Sequence, residues 1–477
     1  MIKRLALAFL LMTAAPAFAG QAPAGARSPD IPVSGRDRFY TSDQFSNTVS
    51  VIDPSTNTLL GVIRLGDPTP LNLSPLYRGQ LLVHGMGFSP DHRTLAVISI
   101  GSNSVTFIDT ATNAVKHTSY VGRSPHEAFF TPDGREVWVA VRGEDYLQIL
   151  DGTTFRETGR ISVPNGPGMT IFAPDGRYAY VCSSFSPETE VIDTATRRIV
   201  GRVAQVSPFC PDIAATPDGR QVWMTLKDTG KVMVFDARPP FAVLKVLDTG
   251  PITNHVNIVR NGAGQFAYVT VGTENLVKVF RTDDFTQVAS IAVGSLPHGL
   301  WPSGDGSRIY VGLENGDAVA AIDTATNTAI ATIPIGQAPQ GVAYVPNAVP
   351  TGDGKAGLEP LGVAGQSYKL VLAGDGPGPR TQITLFDQGQ VQVLQAAAVG
   401  LKPKAPYVLA LSNTPDGSIE LQPLAAFMTN PAGAAIVDTV GPLRSVVSAD
   451  TPAPRRYLVI VEGKPDALGP VVQRQHN

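Results

Sequence analysis

The stretch PHEAFFTPDGREVWVAVRGEDYLQILD, residues 125–151, holds most of one structural unit that recurs in altered form along the chain. Its Val/Ile-rich run ends at an aspartate, and equivalent runs end at Asp53, Asp109, Asp151, Asp193, Asp236, Arg281 and Asp323. From Asp109 onward the intervals are 42, 42, 43, 45 and 42 residues. A period near forty with several short strands per unit predicts a β-propeller, because each unit is a sheet too small to bury its own faces.

A second motif lies between these anchors and predicts a tight turn. It stands as FSPDHR at 88–93, FTPDGR at 130–135, FAPDGR at 172–177, ATPDGR at 215–220 and, in weaker form, PSGDGS at 302–307. The glycine of such a turn accepts a positive φ. Around the motif, one unit divides into four predicted strands at 126–130, 137–141, 146–150 and 158–163. Four strands joined by hairpins make one blade.

The number of blades follows from the two ends of the repeat. The N-terminal part supplies only three strands before its first connection, at 38–42, 48–53 and 58–65. The missing inner strand is found at 341–345, where prolines occupy the same frame as in the other units. We therefore predict an all-β fold with a seven-bladed propeller over 36–348, closed by strands from both ends so that no sheet edge stays free at the seam.

The repeat stops after the propeller. Residues 349–360 are Gly-rich and indicate a linker. Alternating runs then predict a small β-sandwich over 361–466, with strands at 368–373, 382–386, 391–399, 407–412, 434–440 and 457–462. Residues 467–477 are interpreted as a frayed tail, and 20–35 as an N-terminal segment.

Composition and the N-terminus bear on location. The 477 residues are 43% hydrophobic with a net charge of −3 and no run of Lys or Arg, which gives no strong nucleic-acid signal. Lys3 and Arg4 precede a short apolar stretch, and residues 17–19 read Ala-Phe-Ala, which predicts a cleavable signal peptide over 1–19. We expect a periplasmic or secreted protein with no membrane span after cleavage.

The units resemble the YVTN-type (YncE-like) β-propeller repeat over roughly residues 36–348. Its Pro-rich start, PDG turn, YV-rich strand and V-I-D-T strand end stand here as the turns quoted above, as IDTATN runs, and as YVTV at 268–271, YVG at 310–312 and YVC at 180–182. The resemblance implies the fold and says little about activity, since such propellers serve unrelated functions.

Histidines provide the strongest indication of a site. The position six residues before each turn proline, at the start of the inner strand, is occupied by His84, His126, His298 and, with one extra turn residue, His255. Equivalent positions form a ring at one channel mouth, where neutral imidazoles suit Cu or Zn. The ring is similar to that of the propeller domain of nitrous oxide reductase, which holds a copper–sulfur cluster, although this chain offers four histidines. The alternative is that each imidazole only caps a strand end.

Other polar residues are predicted to reach the same face. Arg142, Lys227, Glu274 and Glu314 lie at second-strand ends or in the loops after them, and Gln340 occupies a ring position. As a set they suit a polar ligand, whereas the alternative is an ordinary solvated loop surface. A long first connection at 67–80 is placed on this face as a lid or as a decorative insertion.

The two cysteines, Cys182 and Cys210, fall near this face on neighbouring blades. In an oxidising compartment they predict a disulfide, with metal-binding thiols as the alternative.

These features predict an exported binding or scaffold protein whose small-molecule or exported protein partner lies on the histidine face. The alternative is a metal-dependent enzyme, either a lactonase-like hydrolase or a redox protein, that uses the channel-mouth histidines. The chain contains no C-x-x-C-H, H-E-x-x-H or G-x-S-x-G motif that would favour a particular chemistry.

Overall fold

A computed structural model describes residues 31–66, 81–387, 391–447 and 454–476. Within these ranges the chain forms seven four-stranded antiparallel sheets followed by one eight-stranded sheet. The seven-bladed propeller and the all-β class are thereby confirmed. The predicted signal peptide at 1–19 and the insertion at 67–80 lie outside the described residues.

The first four blades follow one another along the chain, and blade 1 takes its inner strand from the end of the repeat. Blade 1 contains β1 (Arg38–Asp43), β2 (Thr48–Asp53) and β3 (Thr58–Arg64). Blade 2 contains β4 (Val83–Phe88), β5 (Thr94–Ser99), β6 (Ser104–Asp109) and β7 (Val115–Tyr120). Blade 3 contains β8 (Pro125–Phe130), β9 (Glu136–Val141), β10 (Tyr146–Asp151) and β11 (Glu157–Ser162). Blade 4 contains β12 (Pro167–Phe172), β13 (Tyr178–Ser183), β14 (Glu188–Asp193) and β15 (Arg198–Ala204).

The remaining blades keep this order. Blade 5 contains β16 (Ile213–Ala215), β17 (Gln221–Leu226), β18 (Lys231–Asp236) and β19 (Val243–Asp248). Blade 6 contains β20 (Thr253–Asn261), β21 (Gly264–Val271), β22 (Leu276–Arg281) and β23 (Gln287–Ala292). Blade 7 contains β24 (Pro297–Pro302), β25 (Arg308–Leu313), β26 (Ala318–Asp323) and β27 (Thr328–Pro334). The inner strand of blade 1 is β28 (Pro339–Val345).

The ring closes between the two ends of the repeat, as predicted. Strand β28 pairs antiparallel with β1, with Arg38 opposite Val345 and Tyr40 opposite Ala343. A buried hydrogen bond supports the seam, because the Tyr344 hydroxyl donates to Asp37 at 2.6 Å. The closing sheet therefore joins both ends of the repeat by backbone and side-chain bonds.

Burial is graded from the channel outward, which explains the strand composition. The inner strands are buried throughout, as in β8 and β24, whereas outer strands such as β7 and β19 are mostly exposed. Large side chains such as Trp138, Trp223 and Tyr180 fill the space between blades. Each blade therefore buries its faces only against its neighbours, which is what the forty-residue period requires.

The C-terminal domain is a single eight-stranded sheet that curls until its two edges nearly meet. Its strands are β29 (Ser367–Ala373), β30 (Thr381–Asp387), β31 (Gln392–Ala398), β32 (Pro406–Ser412), β33 (Gln422–Met428), β34 (Ala435–Gly441), β35 (Tyr457–Lys464) and β36 (Ala467–His476). They are ordered β33-β32-β35-β36-β29-β30-β31-β34. One apolar cluster that includes Leu385, Leu409 and Ile460 fills the interior, consistent with the sandwich-like domain that the sequence predicts.

Two details of this region differ from the sequence-based expectations. The prediction of a frayed C-terminal tail was wrong, because residues 467–476 form β36, which pairs with both β35 and β29. Strand β33 was missed because its sequence, QPLAAFM, shows no clean alternation. The linker is also attached to the propeller, since Glu359 exchanges backbone hydrogen bonds with Val62 at 2.8 and 2.9 Å.

The C-terminal domain packs on the propeller face where the inner strands begin. Phe386 packs against Phe45 of blade 1 in a tilted arrangement with ring centroids 4.6 Å apart, and Lys369 Nζ lies 2.7 Å from Asp317 of blade 7. No helix among the described residues is long and apolar enough to cross a membrane. The face on which the sequence places its histidines is therefore the face that the second domain covers.

Candidate functional site

A cavity of about 430 Å³ lies between the channel mouth and the C-terminal domain. Propeller residues on its wall include all four predicted histidines together with Arg142, Lys227, Asp228, Glu314 and Gln340. The C-terminal domain adds Gln395, Met428, Asn430, Asp438 and residues 434–436. The sequence thus predicted most of the propeller side of the site, but not its second wall.

The histidines come from the starts of β4, β8, β20 and β24 and lie in two pairs. His84 and His126 approach with their Nε2 atoms 3.0 Å apart, and the ring centroids of His255 and His298 are 4.5 Å apart. All four residues are buried, with at most 8% of each exposed. The repeat places them at one mouth because equivalent positions in a closed ring share one radius and height.

Hydrogen bonds fix the protonation of two of these rings. His126 Nδ1 donates to the Gly168 carbonyl at 2.8 Å, and His298 Nδ1 donates to the Gln340 carbonyl at 3.1 Å, each across one repeat of 42 residues. A neutral ring that donates from Nδ1 is an acceptor at Nε2. His84 Nε2 must therefore donate to His126 Nε2, which leaves His84 Nδ1 as a buried acceptor without a partner.

The rings are neutral because charge is costly here. Burial lowers the pKa of His84 well below its usual value, and the neighbouring His298 and Arg142 lower it further. Burial likewise lowers the pKa of His298 to about 3, and Lys227 adds to the effect. The site therefore presents imidazole nitrogens as hydrogen-bond acceptors in a region that is already positive.

The geometry does not supply a metal-binding set. Among residues 31–66, 81–387, 391–447 and 454–476, no three His, Cys, Asp or Glu side chains are arranged to hold a metal ion. His126 and His298 instead use one nitrogen each to tie neighbouring inner strands together. The copper or zinc that the histidine pattern would suit does not fit these residues as the structure arranges them.

Arg142 is the most unusual charged residue of the cavity. Its guanidinium carbon lies 5.6 Å from the Phe185 ring centre and 5.3 Å from that of Phe209, so two aromatic faces hold it. Its Nε is buried without a hydrogen-bond partner, and no carboxylate of the described residues lies within ion-pair distance. Burial lowers the pKa of Arg142, although an arginine stays charged at any ordinary pH.

The other charged side chains lie toward blades 5 and 7 and the second domain. Burial raises the pKa of Glu314, and Lys227 opposes part of that rise. Asp438 lines the cavity with its side chain exposed to solvent, while the atoms around its carboxyl and then Glu314 raise its pKa to about 6. Glu314 Oε2 is buried without a hydrogen-bond partner. These groups form the acidic side of the site.

Two predicted ligand residues have different positions. Gln340 is buried on the cavity wall, whereas Glu274 does not line the cavity and pairs with Lys278 at 2.8 Å. Glu274 lies in a short 3₁₀ turn, Gly272–Glu274, that directs it to its own blade. Glu274 therefore does not join the other predicted ligand residues at the cavity, because loop position alone does not fix the direction of a side chain.

Sequence reasoning missed two buried acids directly below the histidines. Glu127 and Asp212 follow the ring position in blades 3 and 5 and line a narrow part of the channel beside Met86 and Trp301. Burial raises the pKa of both carboxyls, and Asp212 raises that of Glu127 further. Gly85 of blade 2 makes room, because a Cβ there would lie 2.1 Å from Glu127 Oε2. The repeat frame held the signal, since both acids follow a ring position.

The two cysteines are joined at the edge of the same face. Cys182 of β13 and Cys210, just before β16, form a disulfide with Cα atoms 6.0 Å apart. Both residues are fully buried. The bridge connects blade 4 to the start of blade 5, next to Phe209, which contacts both Arg142 and Lys227.

The fold and the comparisons define the class of protein. The model of the YNCE-like beta-propeller family matches residues 5–350, and the chain belongs to this family. No curated protein matches it. Hydrazine synthase from Kuenenia stuttgartiensis is 21% identical with a TM-score of 0.50, covering 56% of this chain and 90% of that one. A functionally unknown protein from Desulfotomaculum acetoxidans DSM 771 is 14% identical with a TM-score of 0.55, covering 64% and 98%. These similarities show the propeller fold.

Proposed function

We propose that this protein binds a small carboxylate or similar planar anion in the cavity between the channel mouth and the C-terminal domain. One observation carries the proposal, namely that Arg142 points a charged fork into the cavity with no acidic partner among the described residues. A guanidinium offers paired donors that match the two oxygens of a carboxylate.

The surroundings support an anion at this point. Phe185 and Phe209 hold the guanidinium by its faces, which leaves its N–H edge available. The positive charges of Arg142 and Lys227 also act on His84, which shows that their field reaches the histidines. A cavity of about 430 Å³ is within the usual range for small-molecule sites.

The proposal is tested by measuring the affinity of butyrate and succinate by calorimetry. Arg142→Met keeps the length of the side chain and removes the charge, so we expect a loss of roughly 10- to 150-fold, the worth of a charged hydrogen bond. The affinity of Arg142→Lys should lie between those of the wild type and Arg142→Met, because lysine keeps the charge but not the paired donors.

The matched control is Arg135→Met, which removes an arginine that is 85% exposed on the opposite face of the propeller. It should leave both affinities unchanged. Equal losses of affinity in the two Met variants would show that only the net charge of the protein matters. Full affinity in Arg142→Met would overturn the proposal. Melting temperatures of all variants show whether the fold is retained.

We also infer that the protein acts outside the cytoplasm, which the predicted leader and the Cys182–Cys210 bridge support, since disulfides persist in oxidising compartments. N-terminal sequencing of the protein from its native cell should begin at Gly20. Recovery of the intact leader on reduced cytoplasmic protein would contradict export.

A further inference from the structure

The charges in the cavity do not cancel locally. Lys227 interacts with three acids of the cavity, Glu314, Asp228 and Asp438, and a single positive charge cannot offset all three. The acidic side therefore keeps an excess of negative charge, and Arg142 has no ion-pair partner within the described part of the chain. Arg142 follows β9 in blade 3. Asp438, in β34, is close enough to Glu314 of blade 7 that the charge of Glu314 raises the pKa of Asp438.

The two groups lie on opposite sides of the channel mouth. In a ring of seven blades, blades 3 and 7 are as far apart as two blades can be. Asp438 pairs in register with Gln395, and the Gln395 side chain acts on the carboxyls of both Asp438 and Glu314, which places Asp438 beside blade 7. A ligand that satisfies both charges must therefore span the mouth.

Hydrogen-bonding groups follow the same division. The blade 7 side offers acceptors, because Glu314 Oε2 is buried without a partner and the carboxylate of Asp438 is beside it. The blade 3 side offers the donors of Arg142. A buried polar atom without a partner is costly, so a fitting ligand should satisfy Glu314 Oε2.

We propose that the ligand is a small zwitterion, an ω-amino carboxylate, with its carboxylate on Arg142 and its ammonium group between Asp438 and Glu314. This inference rests on the proposed function and adds the second charged end. The C-terminal domain is thereby given a role in specificity, because it supplies Asp438 and Gln395 to the cavity.

The experiment compares two matched series by calorimetry: straight-chain ω-amino acids of two to six carbons, and the unsubstituted alkanoates of the same lengths. Each pair differs only by the amino group. We expect the best-fitting amino acid to bind at least about tenfold more tightly than its alkanoate, from one charged hydrogen bond. Asp438→Asn should abolish this preference and change alkanoate affinity by less than about threefold.

Asp416→Asn is the matched control, since Asp416 is a turn residue of the same domain whose Oδ1 accepts from the Ser418 N–H and hydroxyl. It should keep the full preference. Arg142→Met should weaken both series alike.

The outcomes separate the two proposals. Alkanoate binding that depends on Arg142, without an amino preference or with a preference that survives Asp438→Asn, overturns the zwitterion and keeps the anion site. Failure of both series to show binding that depends on Arg142 overturns both.

Discussion

Acidic side chains on the two faces of the propeller have pKa values shifted in opposite directions. On the face of the turns, Asp323 Oδ1 accepts from the backbone N–H groups of Ala325 and Thr326, and these bonds lower its pKa. On the cavity face, burial raises the pKa of Asp212 and Glu127 well above the usual range. The turn aspartates are stabilised as anions by hydrogen bonds from their own turns, whereas burial destabilises the ionised form of Asp212 and Glu127.

The difference teaches which acids to associate with function. The turn aspartates recur at nearly every repeat, because each blade needs the same reversal and the same side chain supplies it. The channel acids occupy only two blades and satisfy no repeating structural need. Within a repeat protein, departure from the period is therefore the more informative signal of a site.

The largest expected effect comes from the covalent tie on the cavity face. Cys182 and Cys210 enclose a separation of 28 residues. In the chain-entropy model, replacing both by Ser should lower the free energy of unfolding by about 3–4 kcal/mol, measured by denaturant titration.

Reductant should lower the stability of the wild-type protein to that of the double Ser variant and leave the variant unchanged. Thiol titration of denatured, unreduced protein exported to an oxidising compartment should find no free thiol. Two free thiols would show that Cys182 and Cys210 do not form a disulfide.

A second prediction uses Asp43, which is fully buried on the cavity face and accepts hydrogen bonds from Thr41, Thr48 and Ser50. Burial raises its pKa from 3.8 to about 7, so the folded state keeps a proton that the unfolded state has lost. The free energy of unfolding should therefore fall as pH rises between about 4 and 7, by about 2 kcal/mol from pH 5 to pH 7.

Asp43→Asn cannot ionise, so the stability difference between wild type and this variant isolates the contribution of Asp43. That difference should change by the same amount, in denaturant titrations at the two pH values. If the difference in free energy of unfolding stayed constant with pH, burial would not raise the pKa of Asp43. The contrast between the two faces would then not hold for Asp43.

The smallest effect is expected on the turn face. Asp323→Ala removes an acceptor for two backbone N–H groups and the Thr326 hydroxyl, and should lower stability by about 1 kcal/mol at pH 7. Because the folded pKa of Asp323 is lowered, its contribution is present above the unfolded pKa and is lost as pH falls through the folded pKa.

Asp323→Asn keeps one acceptor oxygen and should recover part of the loss. Neither variant should change ligand affinity, since Asp323 lies away from the cavity. A change in affinity would show that the two faces are coupled through the blade.

The propeller was predictable to within a few residues because each blade repeats one pattern of strands and turns. Closure followed from the same frame, which placed β28 beside β1. The channel-mouth position of His84 and its counterparts was predictable for the same reason. Glu274 lies away from the cavity, in a local 3₁₀ turn that the repeat does not predict, and it pairs with Lys278 of its own blade.

The sequence alone determined the class of fold, the number of blades and the face on which the histidines lie, since all three depend on the period and on chain order. Only the tertiary structure decided what these residues do. Contacts between residues far apart in the chain decide three features: the pairing of His84 with His126, the aromatic contacts of Arg142 and the place of Asp438 in the cavity. Such contacts are set by how blades and domains pack, which a periodic pattern does not encode.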